Sequence, residues 1–341
     1  MPSDRSPLSL APSRRNFLKS FAIAGLALPS LGGLARAAEA VGTADRPLKL
    51  AWNANSVCVS TIAYAKTHGI FDKHGINVEL VNFSGSTDQL LEAIATGKAD
   101  AGVGMALRWL KPLEQGFDVK IAAGLHGGCI RLVASKASGI TTIAGLKGKT
   151  IAVSDMASPA KNFFSILLVK AGLDPTRDVE WRQFPNNLLG LAIQKGEADA
   201  LADNDPVAYD YAAQPDLVEI SSNSSGEYAD RVCCLLGLRG SLLRDNKAAA
   251  ASLTRALFDA WHVTATHPEA IAEAFKEYTP KRAGEDVGGM LMNENHHLQI
   301  TGDALRHQIA QYVDELKLAQ VFRPSTDAET FARRVTIDVL A

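Results

Sequence analysis

Short apolar runs that open into small polar residues recur along this chain, and a stretch with helical spacing follows each of them. "LKLAWNANS", starting at Leu48, is apolar until Asn53, Asn55 and Ser56, the pattern of a buried strand that opens into a loop. "TIAYAKTHGIFDKHG" then sets Ile62, Ala63, Ala65 and Lys66 at helical spacing and stops at Gly69, after which "INVELVNF" alternates as a strand does. "GSTDQLLEAIATG" predicts a second helix, with Ser86, Thr87 and Asp88 as cap candidates, Leu90, Leu91 and Ile94 on its apolar face and Gly97 at its end. "ADAGVGM" reads as the next strand.

The same order then returns. "GKTIAVSD" is strand and loop, "SPAKNFFSILLVKAG" a helix, "VEWRQFP" a strand, "NNLLGLAIQKG" a helix and "EADALADND" the last strand. Even the wording repeats: "LLEAIATGKADAG" (Leu90 to Gly102) comes back as "LGLAIQKGEADAL" (Leu189 to Leu201). Each half is a β-loop-α-β-α-β unit, which predicts an α/β protein of two lobes, each a mainly parallel sheet flanked by helices. The repeated phrase marks a helix end, its glycine cap and a small-residue turn into a strand. After Gly237 the pattern turns helical, with two helices split near Pro268 and a further one in "GDALRHQIAQYVDELKL". "AAGLHGGCIRLVAS" and "RVCCLLGLRG" fall where the chain crosses into the second lobe and back, giving a two-strand hinge. The expected boundaries are residues 46–128 plus 235–341 for lobe one and 129–234 for lobe two.

A length of 341 residues with 47% hydrophobic content supports two packed domains. The first 37 residues read as an export leader instead of structure. "SRRNFLK" is a twin-arginine pattern, "SFAIAGLALPSLGGL" a moderately apolar run, and "ARAAEA" a small-residue site that permits cleavage after Ala37 or Ala40. With Pro29, Gly32 and Gly33 inside it, that run is too short and broken to span a bilayer, which takes about 20 residues. The expectation is a protein exported to the periplasm by the twin-arginine route. Without the leader's five basic residues and one acid, the 35 basic and 37 acidic residues become 30 and 36, a net of −6. A mildly acidic body lacks the clustered Lys and Arg that nucleic acid requires, and that class of partner is excluded. Four cysteines (Cys58, Cys129, Cys233, Cys234) are sparse for a disulfide framework, a vicinal pair is awkward to close, and buried thiols packing as small apolar residues are expected.

"HGIFDKHGINVELVNF", "GSTDQLLEAIATGKADAGVG", "ITTIAGLKGKTIAVS" and "IQKGEADALADNDP" together make the chain resemble the periplasmic solute-binding proteins of the nitrate/sulfonate/taurine class of ABC transporters. The resemblance implies the two-lobed periplasmic-binding-protein fold of type II, a monomer without enzymatic activity, metal or cofactor, and delivery of a small organic solute (a sulfonate, carboxylate or nitrogen compound) to an inner-membrane permease. Relatives that make or bind the thiamin pyrimidine share the fold, and some carry a cysteine-rich run where this chain has "VCCLLG"; the leader argues against an intracellular synthase. A ligand sensor for a signalling partner is a further alternative.

Ligands of open α/β sheets bind beyond the carboxyl ends of the strands, so the candidates lie in the loops there. In lobe one these are Asn53, Asn55 and Ser56, which would either meet the solute or cap the next helix, and Met105, Arg108 and Trp109. Arg108 suits a carboxylate or sulfonate or a surface ion pair, and Trp109 suits a ring or the core. At the crossing, His126 and Cys129 flank glycines; as a metal site they want further ligands at clear spacing, and adjacent His296 and His297 read as a solvated surface pair. Lobe two offers Asp155, Ser158 and Lys161 after one strand and Asp203, Asp205 and Tyr209 after another. Relatives often show an aromatic before the proline where this chain has Asp205, and the mixed charges favour a solute of both signs over a simple inorganic anion.

Overall fold

The computed structural model describes residues 41–83, 87–279 and 284–341. The expected leader with Ala37 and Ala40, the cap candidate Ser86, and the side chains of Thr87 and Asp88 lie outside what is described. Among the described residues, ten strands form two five-stranded sheets. The first holds β1 (Leu48–Trp52), β2 (Val78–Asn82), β3 (Ala101–Met105), β4 (Val119–His126) and, from far along the chain, β10 (Cys234–Arg239), in the order β2-β1-β3-β10-β4. The second holds β5 (Ile130–Ser135), β6 (Thr150–Val153), β7 (Glu180–Gln183), β8 (Ala200–Asn204) and β9 (Leu217–Ser222), in the order β7-β6-β8-β5-β9.

The two orders are the same design. In each sheet the first three strands are parallel, and the strand in fourth place pairs antiparallel with both neighbours. That opposed strand is β10 in one sheet and β5 in the other, the two segments that the pattern predicts as crossings. The strand β9 is not anticipated by the pattern, which treats "ALADN" as the last strand of its sheet; among the described residues β9 pairs with β5 alone. Helices Lys247–Thr266 and Pro268–Phe275 break at Pro268, as expected, and Gly302–Leu318 is helical throughout.

The repeated phrase has a structural counterpart in two aspartates. At the end of helix Thr87–Ala95, Gly97 takes φ +81°, and at the end of Leu189–Gln194, Gly196 takes φ +70°, a left-handed turn that a β-carbon disfavours. Asp100 then exchanges backbone bonds with Lys49 across to β1, its amide donating to the Lys49 carbonyl at 2.9 Å while its Oδ2 accepts the Lys49 amide at 3.0 Å. Asp199 does the same to Thr150 at the start of β6, at 2.8 and 2.9 Å. One side chain and one peptide thereby fix the register at which the third strand meets the first. Arg239 pairs with Asp100, and Lys149 with Asp199 at 3.3 Å.

Trp52, Trp109 and Trp261 are fully buried among the largest core side chains. Trp109 lies against β3 and β10, where an added β-carbon on Gly104 would come within 2.2 Å of its ring and one on Gly237 within 2.8 Å. Two strands have given up side chains to make a bed for this ring. Among the described residues, no helix is long and apolar enough to cross a membrane.

Candidate functional site

The carboxyl ends of β1, β3, β6, β7 and β8 open onto one cavity of about 500 Å³. From the first sheet come Asn53, Asn55, Ser56, Met105 and Arg108, and from the second come Ser154, Asp155, Ser158, Gln183, Asn186, Asp203 and Asn204. Eight of the expected candidates are thus brought together: Asn53, Asn55, Ser56, Met105, Arg108, Asp155, Ser158 and Asp203. Ser154, Gln183, Asn186 and Asn204 join them. The same strand-end rule reaches these four, since each is the last residue of a strand or lies within three residues of its end.

Local geometry sets each side chain. Asn53 closes its own turn, its Oδ1 accepting the Asn55 amide at 2.9 Å. Ser56 makes no capping bond at the short turn Val57–Val59 behind it, which leaves its hydroxyl to the cavity. Ser158 does cap: its Oγ accepts the Lys161 amide at 3.1 Å at the start of helix Pro159–Lys170, with Pro159 in the first turn. Asp155 accepts the Ala157 amide on Oδ1 at 2.8 Å and the Arg108 guanidinium on Oδ2 at 2.8 Å. Arg108 stands on helix Ala106–Glu114 of the first sheet, so this ion pair joins the two walls of the cavity. Nearby, Asn162 on the second wall donates to the Leu107 carbonyl at 2.9 Å.

Asp203 is almost fully buried. Its Oδ1 accepts the Asn204 amide at 2.8 Å, and its Oδ2 has no hydrogen-bond partner among the described residues. Removal from water pushes its pKa up to about 6, against the pull of the Asn204 amide and the Ser154 hydroxyl, with the charge of Asp155 adding to the rise. Near neutral pH this carboxyl therefore moves easily between donor and acceptor. Among the described residues lining the cavity, Arg108 is the one cation and no aromatic ring is present.

Six expected candidates lie elsewhere. Trp109 fills the bed on β3 and β10 and faces the core. Lys161 sets its ammonium 5.4 Å from the centre of the Trp181 ring, and burial lowers its pKa. Asp205 sits beneath the cavity, forked by Arg131 through Nε at 2.9 and 3.1 Å and Nη2 at 3.0 Å. Arg131 also reaches Glu219 at 2.5 Å and lies 5.3 Å from the centre of the Tyr209 ring. The fork keeps the pair ionic at neutral pH; burial pushes Asp205 only up to about 6, and its carboxylates hold the Arg131 guanidinium protonated. Asp205 and Tyr209 thus brace β5 and the turn after β8.

His126 and Cys129 belong to a second, deeper group. All four cysteines are free and buried, as the composition suggests, yet they do not pack as scattered apolar residues. Cys58, Cys129, Cys233 and Cys234 gather around His126, Glu294 and His296, and Cys129 and Cys233 bring their sulfurs to 3.3 Å. Cys129 does so at φ +83°, a conformation that non-glycine residues rarely adopt. The expectation of a solvated His296–His297 pair fails for one member: His296 is buried and only His297 is exposed. Loop Asn295–Ile300 folds back on β4, with paired bonds between Gly127 and Asn295 and between Gly124 and Ile300, and this draws His296 inward. Cys58 and Cys234 also line the floor of the cavity, so the two groups touch.

A family model described as NMT1/THI5 like matches residues 58–271. No curated protein sequence matches the chain. Among solved structures, the chain is similar to the periplasmic aliphatic sulphonate binding protein SsuA from Escherichia coli, with a TM-score of 0.70 at 18% identity over 84% of this chain and 91% of that one. It is similar to the alkanesulfonate-binding protein SsuA from Xanthomonas axonopodis pv. citri bound to MOPS, with a TM-score of 0.69 at 18% identity over 86% and 98%. The periplasmic nitrate-binding protein NrtA from Synechocystis PCC 6803 aligns with a TM-score of 0.72 at 14% identity over 86% of each chain. The fold is that of the two-lobed periplasmic binding proteins, with a pair of exchanged strands at the crossing.

Proposed function

Since the chain belongs to the NMT1/THI5 like family, we propose that it is the periplasmic receptor of an ABC importer, exported by the twin-arginine route and closing residues 46–128 plus 235–341 upon residues 129–234 around one small organic solute. The Arg108–Asp155 pair across a 500 Å³ cavity carries this reading, because it ties together two walls that belong to different sheets. A cavity of that size suits a solute of modest dimensions, held by a few placed polar groups. The relatives that bind sulfonate and nitrate support an importer role.

The lining narrows the solute class. One guanidinium already engaged by Asp155, together with Asp203 and a set of amides and hydroxyls, offers both acceptors and donors. A solute that carries both an anionic head and hydrogen-bond donors fits this better than nitrate, and a ring would find no aromatic face to stack on among the described residues of the lining. The reading assigns no chemical step to the protein; its work is differential binding, with the permease recognising the closed form.

Thermal-shift screening of the purified chain against sulfonates, carboxylates, amines and pyrimidines tests it. One class should raise the melting temperature in a concentration-dependent way, as a ligand of the folded state must. Conversion of a hit into product, or no shift with any class, would overturn the receptor reading.

A further inference from the structure

Among the described residues, three buried trios of metal-binding side chains overlap beneath the cavity: Cys58, His126 and Cys234; Cys58, Cys129 and Glu294; and His126, Glu294 and His296. Within each, one donor atom per residue lies within 4.8 Å of the others. The donors come from four separate parts of the fold. Cys58 lies on the turn after β1, and His126 ends β4. Cys234 begins β10, paired in register with His126, while Glu294 and His296 come from the loop that folds back on β4.

These groups lack the partners that burial demands. His126 Nε2, both ring nitrogens of His296 and both carboxylate oxygens of Glu294 have no hydrogen-bond partner among the described residues. His126 Nδ1 and His296 Nε2 stand 3.6 and 3.3 Å from the same Glu294 oxygen. Buried polar atoms are ordinarily paired, and unpartnered nitrogens and carboxylate oxygens gathered in one place call for an occupant, to which His126 Nε2 can offer its lone pair. Thiolate and imidazole donors suit a borderline-soft ion without geometric demands of its own.

We propose that this group binds one zinc(II) ion through Cys58, His126 and Cys234, at the point where the chain crosses between sheets, with Glu294 behind His126 Nδ1 to orient the ring so that Nε2 meets the ion. The cysteines on the cavity floor, Cys58 and Cys234, give the ion its route in. As it binds, each ligating thiol exchanges its proton for a sulfur–metal bond, and the protons leave to solvent. The site adjoins the solute cavity and shares Cys58 and Cys234 with its floor, but Glu294 lies outside that lining, so zinc binding and solute binding are separately measurable in a Glu294 variant.

The test uses the purified full chain, reduced and stripped of metal, then offered zinc(II) or cobalt(II). Zinc should remain at about one equivalent after desalting, and cobalt should give the intense near-ultraviolet thiolate band and visible bands of a tetrahedral centre. Cys58→Ser should weaken the thiolate band and lower zinc affinity at least tenfold. Should that variant melt early, the near-isosteric Glu294→Gln decides: it should keep the thiolate band and bind zinc several-fold more weakly. Retention below about 0.2 equivalents by the folded, reduced chain overturns the site. So does a thiolate band unchanged in Cys58→Ser, or a Cys129–Cys233 disulfide in a chain that takes up no zinc after reduction.

Discussion

Arg108 and Asp155 meet at 2.8 Å although one stands on the helix after β3 and the other in the loop after β6, strands of two different sheets. The arginine side chain is largely buried and the aspartate is more than a third exposed. Their attraction is therefore partly screened, and the pair orients the guanidinium into the cavity more than it adds to stability. Such a pair is suited to exchange Asp155 for an anionic group on the solute.

Replacing Arg108 by alanine should weaken binding of the solute found by thermal shift at least tenfold, about 1.4 kcal/mol. Asp155→Ala should leave affinity for an anionic solute unchanged or raise it, because the guanidinium loses its internal competitor. Calorimetric titration of both variants checks this; equal losses in the two would show that the pair acts only to hold the walls together.

Asp203 predicts a pH dependence. Its folded pKa stands near 6, while the unfolded chain titrates near 4, so the folded state retains the proton between them. The stability this group contributes is fully present below about pH 4 and is lost as pH rises through about 6, a swing on the order of 3 kcal/mol for a two-unit shift. Asp203→Asn keeps a neutral amide and should remove that fall. Melting curves of the two proteins from pH 4 to 7.5 should diverge upward in favour of the variant; parallel curves would contradict the assignment.

The bed beneath Trp109 is equally testable. Gly104→Ala places a carbon 2.2 Å from the ring, a clash with no free space to absorb it, and should destabilise by about 3 kcal/mol or more. In urea unfolding, combining it with Trp109→Leu should cost less than the sum of the two changes, since each relieves the other. Strict additivity would mean that the ring does not rest there.

The repeated aspartates should behave as a pair of unequal strength. Asp100→Ala removes a buried carboxylate from the Lys49 amide and from Arg239 and should cost about 2 kcal/mol, and Asp199→Ala, whose carboxylate is more exposed, about 1. Urea midpoints measure both. A larger loss at Asp199 would argue against the burial argument.

The sequence made the architecture legible because it states the same unit twice, with glycine caps and aspartates at matching positions. Strand ends followed from that, and with them the cavity wall. Trp109 was not legible, since its choice between cavity and core depends on Gly104 and Gly237, which lie on strands far apart in the chain. Nor was His296: whether a histidine near a helix end is solvated or buried is decided by the bridge from Asn295 to Gly127, a contact with no local signal. The sulfur group eluded spacing rules for the same reason, its donors being brought together by the order of strands and not by a motif.

The position of β10 bears on how the protein is made. It is inserted between β3 and β4, yet all of β5 to β9 is synthesised first. Until Cys234 to Arg239 leaves the ribosome, both of those earlier strands present a bare edge, while the second sheet already has every strand it needs. A nascent chain stalled anywhere before that point is half finished in the most adhesive way available to it, and it is there that a chaperone would find most to hold.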